Sequence, residues 1–209
     1  WNDAVGEIVP RIYKLEWAGA GWDTVWQAVP PVGEQNTWPT LNLADLDKDG
    51  KDELIWCPVN DFDVDANPYR LVVYEVAGDG SDVLGVLNGE NYDPNSKWTI
   101  ADEGENMRIM DLVVADPDDD GTDEVIFADR KGNDNGYYFG VASVDDFPDN
   151  GDGSETWTLE VSGKDFGDLS AADIENKWDV AVIGNNCYFF CEIEISKLSW
   201  NGEGWDYTD

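Results

Sequence analysis

The stretch Asp45-Leu46-Asp47-Lys48-Asp49-Gly50-Lys51-Asp52-Glu53 places carboxylates at loop positions one, three, five and nine, with glycine at six. The same grammar returns as Asp116, Asp118, Asp120, Gly121 and Glu124. Alternate acids turn their oxygens to one concave side and glycine permits the sharp turn, while the carbonyl at position seven, from Lys51 or Thr122, can point inward too. Hard oxygen donors around a void suit calcium, as in the helix-flanked calcium loop with its alternating ligands. Without an ion, four carboxylates held this close repel, so the empty loop is expected to be disordered or partly protonated. The alternative for any single copy is an acid-rich turn exposed to water, and two full copies at matching positions weigh against it.

Weaker candidates surround these. Asp173 and Glu175 keep part of the pattern and the match resumes at Asp179, but this copy is two residues shorter and has no glycine. Asp61, Asp63 and Asp65 alternate without the glycine and read as a solvated loop. The DNGDGSE run at 149–155 imitates a calcium loop, yet its phase marks it as a glycine hairpin.

The acidic loops must be held by strands. LNLADLDKDGKDELIW at 41–56 recurs as DLVVADPDDDGTDEVIF at 111–127 and, worn, as DLSAADIENKWDVAVIG at 168–184, with loop starts 71 and 57 residues apart. Each apolar run enters the loop and another follows directly, so the loop joins neighbouring antiparallel strands. A second repeat has the same phase: Trp17-Ala-Gly-Ala-Gly-Trp22 matches Trp200-Asn-Gly-Glu-Gly-Trp205, with weaker copies at Gly78–Gly80 and Gly151–Gly153. These are hairpin turns in which glycine supplies positive φ. Trp98-Thr99-Ile100 and Trp157-Thr158-Leu159 mark the last strand of two units.

Four short antiparallel strands per unit of about 60 to 70 residues are the blades of a β-propeller. The reading is all-β, one propeller-like domain over 1–209, with a half blade at 11–28 and blades at 37–102, 106–160 and 164–209. Three and a half blades leave sheet edges bare, so a second copy, a larger assembly or the rest of a longer chain is expected to cover them. The chain starts at Trp1 without a basic then apolar leader, which fits a removed signal or a piece of a longer chain.

The DxDxDGxxE segments between strands, each with alanine before the first Asp, resemble the FG-GAP or VCBS repeats of calcium-binding β-propellers, the family that includes the integrin α-chain propeller. That resemblance implies about two calcium ions at the blade loops on one face, an extracellular or cell-surface setting, and a role in adhesion, ligand binding or scaffolding.

Composition narrows the chemistry. With 46 Asp+Glu against 12 Lys+Arg, the net charge is −34 at pH 7, which repels nucleic acid and anionic membranes and favours cations. No apolar run approaches the roughly 18 residues that span a bilayer. There is no His, which removes Ser-His-Asp and Cys-His catalysis and His-ligated zinc. Paired carboxylates leave a polysaccharide-active enzyme open without singling out a pair. Of the three cysteines, Cys187 and Cys191 sit too far apart on an extended run to bridge, so they and Cys57 read as buried or intermolecular thiols. Trp17, Trp22, Trp200 and Trp205 are read as packing between blades because they recur at the blade period, with sugar or protein contact as the other role. The expected function is a non-enzymatic calcium-binding scaffold that assembles with itself or a larger chain; the second reading is a module recognising protein or glycan.

Overall fold

The computed structural model describes residues 11–29, 40–57, 71–75, 83–98, 109–129, 138–145, 156–167, 177–191 and 194–208. All regular structure there is antiparallel β apart from one short 3₁₀ turn, Gly163–Phe166, and no helix is long and apolar enough to cross a membrane. Strands β1 (Ile12–Trp17) and β2 (Trp22–Ala28) form a two-stranded sheet. The first four-stranded sheet orders β3 (Thr40–Ala44), β4 (Glu53–Cys57), β5 (Leu71–Tyr74) and, after an inserted hairpin of β6 (Val86–Asn88) and β7 (Asn91–Asp93), β8 (Ser96–Trp98). The second runs β9 (Ile109–Ala115), β10 (Glu124–Asp129), β11 (Phe139–Asp145), β12 (Thr156–Ser162). The third runs β13 (Asp179–Ile183), β14 (Asn186–Phe190), β15 (Ile195–Trp200), β16 (Trp205–Thr208).

The sheets pack in chain order through three apolar clusters. Ile12, Trp26 and Ala28 of the hairpin meet Leu54, Trp56, Val72 and Tyr74 of the first sheet. Ile55, Val73 and Trp98 on its other face meet Leu112, Val125 and Phe127 of the second. Ile126, Phe139 and Val161 then meet Val180, Cys187, Phe189 and Leu198 of the third. Strict alternation makes this possible, since each central strand sends successive side chains to opposite neighbours. The first strands of the three sheets also lie side by side: the Asn42 amide of β3 donates to the Leu112 carbonyl of β9 at 3.2 Å, and the Val180 N–H of β13 donates to Asp111 Oδ2 of β9 at 3.2 Å.

Three details differ from the sequence reading. Among the described residues the third sheet starts at Asp179, its first two strands there being joined by a tight Gly184-Asn185 turn, while the worn acidic stretch before Lys177 lies outside the described residues. The β6–β7 hairpin between the third and fourth strands of the first sheet carried no repeat signal. Its Asn91 side chain accepts from Val29 N–H and donates to Val29 C=O, both at 2.9 Å, clamping the end of β2. Finally, Trp17 and Trp22 do not pack between sheets: they are 58% and 66% exposed and stack edge-on against each other at 5.6 Å. Trp200 and Trp205 make the matching cross-strand pair at 5.3 Å, and only Trp205 reaches the apolar cluster beneath. The hairpin turns follow expectation, with Gly19 at φ 87° and Gly202 at φ 94°. The glycine repeats at 78–80 and 151–153 lie outside the described residues. Cys57 and Cys187 are buried, and burial pushes the Cys187 thiol up to about 12; Cys191 is half-buried and no pair is bonded.

Phe127 fills its space only because Gly140 faces it across the β10–β11 pair, where an added methyl would lie 2.3 Å from the ring. Gly140→Ala should therefore cost about 1–3 kcal/mol by overpacking, read by denaturant unfolding, and Phe127→Leu in the same background should recover part of it. Additive losses in the double variant would contradict this contact.

Candidate metal centres

Each full acidic loop bridges the first two strands of its sheet: β3 enters and β4 leaves the first, β9 enters and β10 leaves the second. Their backbones repeat one another. Position four is left-handed in both, Lys48 at φ 64° and Asp119 at φ 61°, and so is position six, Gly50 at φ 92° and Gly121 at φ 94°. The glycine N–H of position six donates to the position-one carboxylate in each loop, Gly50 to Asp45 and Gly121 to Asp116, at 3.0 Å. The position-seven N–H likewise donates to position five, Lys51 to Asp49 and Thr122 to Asp120, at 2.7 Å. Those bonds turn one oxygen of each of these carboxylates to the backbone; the second oxygen of Asp116 accepts from Asp120 N–H at 3.1 Å and that of Asp49 from the Lys51 ammonium at 2.7 Å.

Asp45, Asp47, Asp49 and Glu53 each offer a carboxylate oxygen, all within 4.8 Å of one another, and so do Asp116, Asp118, Asp120 and Glu124. The glutamates form the cup floors. As first residues of β4 and β10 they are 0% and 1% exposed. Among the described residues, Glu53 Oε1 and both oxygens of Glu124 are buried without a hydrogen-bond donor, as is Asp45 Oδ1. Burial chiefly, then the neighbouring acids, pushes Glu53 up to about 8 and Glu124 up to about 9. Asp118 is also raised, first by burial. A divalent cation bound by oxygen ligands would give these groups the partner the protein itself withholds, and the donor set is the hard one that calcium takes.

The other sequence candidates divide cleanly. Asp173, Glu175, Asp61, Asp63 and Asp65 lie outside the described residues. Asp179 belongs to neither cup; it starts β13 and hydrogen-bonds Asp111 of β9. Burial first, then that contact, pushes Asp111 up to about 6, while Thr40 Oγ1 donates to Asp111 Oδ1 at 3.5 Å. This carboxyl pair where the three first strands meet was missed in the sequence, although an acid inside the apolar run DLVVA was its available signal. Also missed was the link between the cups, the Lys48 ammonium that donates to the Gly121 carbonyl and lies 4.0 Å from Asp123 Oδ2. No protein-family model matches the chain, and no curated protein matches it.

Glu53 and Glu124 ionise near pH 4.5 when unfolded but only near pH 8 and pH 9 when folded, so between those values the folded state holds more protons. Stability contributed by a neutral buried acid is therefore lost as pH rises through that window. In chelator the melting temperature should fall from about pH 5 to about pH 9, calcium should restore it at the upper end, and Glu124→Gln should flatten part of the fall. A chelated protein equally stable across the window would contradict the cup floors.

Proposed function

We propose that this chain is a non-enzymatic, calcium-binding β-propeller-type protein of the FG-GAP or VCBS kind, working outside the cell or at its surface as a structural scaffold that assembles with copies of itself or with the rest of a longer chain. The observation that carries the reading is the pair of matched four-carboxylate cups, each floored by a buried glutamate with donor-less oxygens. Loops of this type in extracellular modules bind calcium at about 10⁻⁴ to 10⁻³ M, which suits a setting where the ion is always supplied. Each ion would offset two negative charges of a chain carrying −34 and would tie the turn between two strands to the floor of the sheet.

Assembly is supported by what is left uncovered. Leu112 of β9 is 2% exposed under the first sheet, whereas the residues at matched positions on β3 and beyond, Leu41 and Leu43, are 52% and 55% exposed. Beside them lies a cavity of about 330 Å³ lined by Tyr13, Lys14, Trp26, Leu43 and Leu54 among others. Among the described residues β1 pairs only with β2, and we read the hairpin as the outer half of a four-stranded unit. An inner strand pair laid along β1 would cover Leu41 and Leu43 and fill the cavity.

A second reading, recognition of a protein or glycan, is favoured by the exposed aromatic strip of Tyr13, Trp17 and Trp22, whose flat faces are of the kind that contact sugars and partner proteins. Nucleic acid is opposed by charge.

Sedimentation of the chain in about 1 mM calcium and then in excess chelator, with metal counted per chain, tests this. Calcium-dependent species larger than the monomer, with two ions per chain, are expected, and Leu43→Glu should return them to monomer without changing the ion count. A calcium-loaded monomer would shift the assignment to recognition, and a chain without calcium would overturn the reading.

A further inference from the structure

The two cups share a backbone and differ where charge and hydrogen bonding are decided. At position two the first loop has Leu46, whose N–H donates to Glu53 Oε2 at 2.5 Å; the second has Pro117, which has no N–H to donate. Glu53 is thus half satisfied by its own loop, while Glu124 keeps both buried oxygens bare. At position seven the first loop has Lys51, whose ammonium holds Asp49 Oδ2 at 2.7 Å; the second has Thr122, with no charge. That ammonium is the main cause holding Asp49 below the usual carboxylate range. Across positions one to nine the first loop carries five acids and two lysines, the second six acids and no lysine.

We propose that the cups are an unequal pair: the loop at 116–124 is the tight site that fills first, and the loop at 45–53 is a weak site in which the Leu46 amide and the Lys51 ammonium already stand in for part of the ion. This rests on the cation reading of the preceding subsection. An ion entering the first loop must displace Lys51 from Asp49 and meets Glu53 with one oxygen engaged. In the second it meets four carboxylates that share their oxygens with backbone N–H groups but, among the described residues, with no ammonium, and Glu124 can offer both oxygens, as the last ligand of calcium loops does. Ligand charge count and bidentate reach are the terms by which such loops tune affinity. Lys48 does not reverse the order: its ammonium rests on the Gly121 carbonyl and near Asp123, outside the four carboxylates.

The test is calorimetric titration of calcium into the chelator-stripped full chain, for the wild type and for Glu53→Gln, Glu124→Gln, Lys51→Thr and Pro117→Ala. Two phases are expected, separated by about tenfold or more in affinity. Glu124→Gln should remove the tight phase, Glu53→Gln should remove the weak one, Lys51→Thr should tighten the weak phase, and Pro117→Ala, which restores an amide to the second loop, should weaken the tight one. Two ions bound with one constant, or loss of the tight phase in Glu53→Gln, would overturn the ordering while leaving the cation sites standing. No calcium binding by the wild type would overturn both. The glutamine variants retain side-chain shape and remove the buried acid, which has both oxygens bare in Glu124 and one in Glu53, so folding is not at risk in them, and Lys51 is exposed enough to replace freely.

Discussion

A buried carboxylate facing other carboxylates is the condition around which this structure is organised. Glu53 and Glu124 begin the second strands of their sheets, and the same backbone step that starts the strand drives each side chain under an acidic loop. Neither can be moved to solvent without shifting the register of a central strand, and a one-residue slip would turn every apolar side chain of β4 or β10 to the wrong neighbouring sheet. The repulsion is therefore built in by the packing. Strand register and cup floor are one constraint, so what steadies the loop also steadies the sheet.

The apolar organisation follows from the same alternation. Leu54 and Trp56 look back to the hairpin while Ile55 and Cys57 look forward to the second sheet, and Val125 and Phe127 look back while Ile126 and Ala128 look forward to the third. Because the first and second four-stranded sheets each contribute to two clusters, no cluster belongs to one sheet, and stability is shared between neighbours.

Much of this was legible because it repeats. The loops at 45–53 and 116–124 stood out in the sequence since a glycine and four acids at fixed offsets have few other uses, and the strands around them follow from the apolar runs on either side. What was not legible lacked either repetition or local cause. The pairing of DVAVI at 179–183 with 186–190 through the Gly184-Asn185 turn gave no such signal, because that turn is only two residues long. Trp17 and Trp22 were placed between sheets on periodicity, but a period fixes position along a strand and not which face is covered. The Asp111–Asp179 contact joins residues of different sheets, and no local pattern announces such a meeting.

The clamp of Asn91 on Val29 bears on how load travels. Its amide closes both the backbone donor and the backbone acceptor of one residue, as a paired strand would, just where the chain leaves β2. Trp26 adds a bond from its indole nitrogen to the Leu84 carbonyl at 3.0 Å. A tensile force applied to the hairpin is thus passed sideways into the β6–β7 insertion and the first sheet, across bonds loaded in parallel, rather than along the chain that follows Val29. Under strain the insertion would serve as a rivet, and the hairpin and first sheet would yield together.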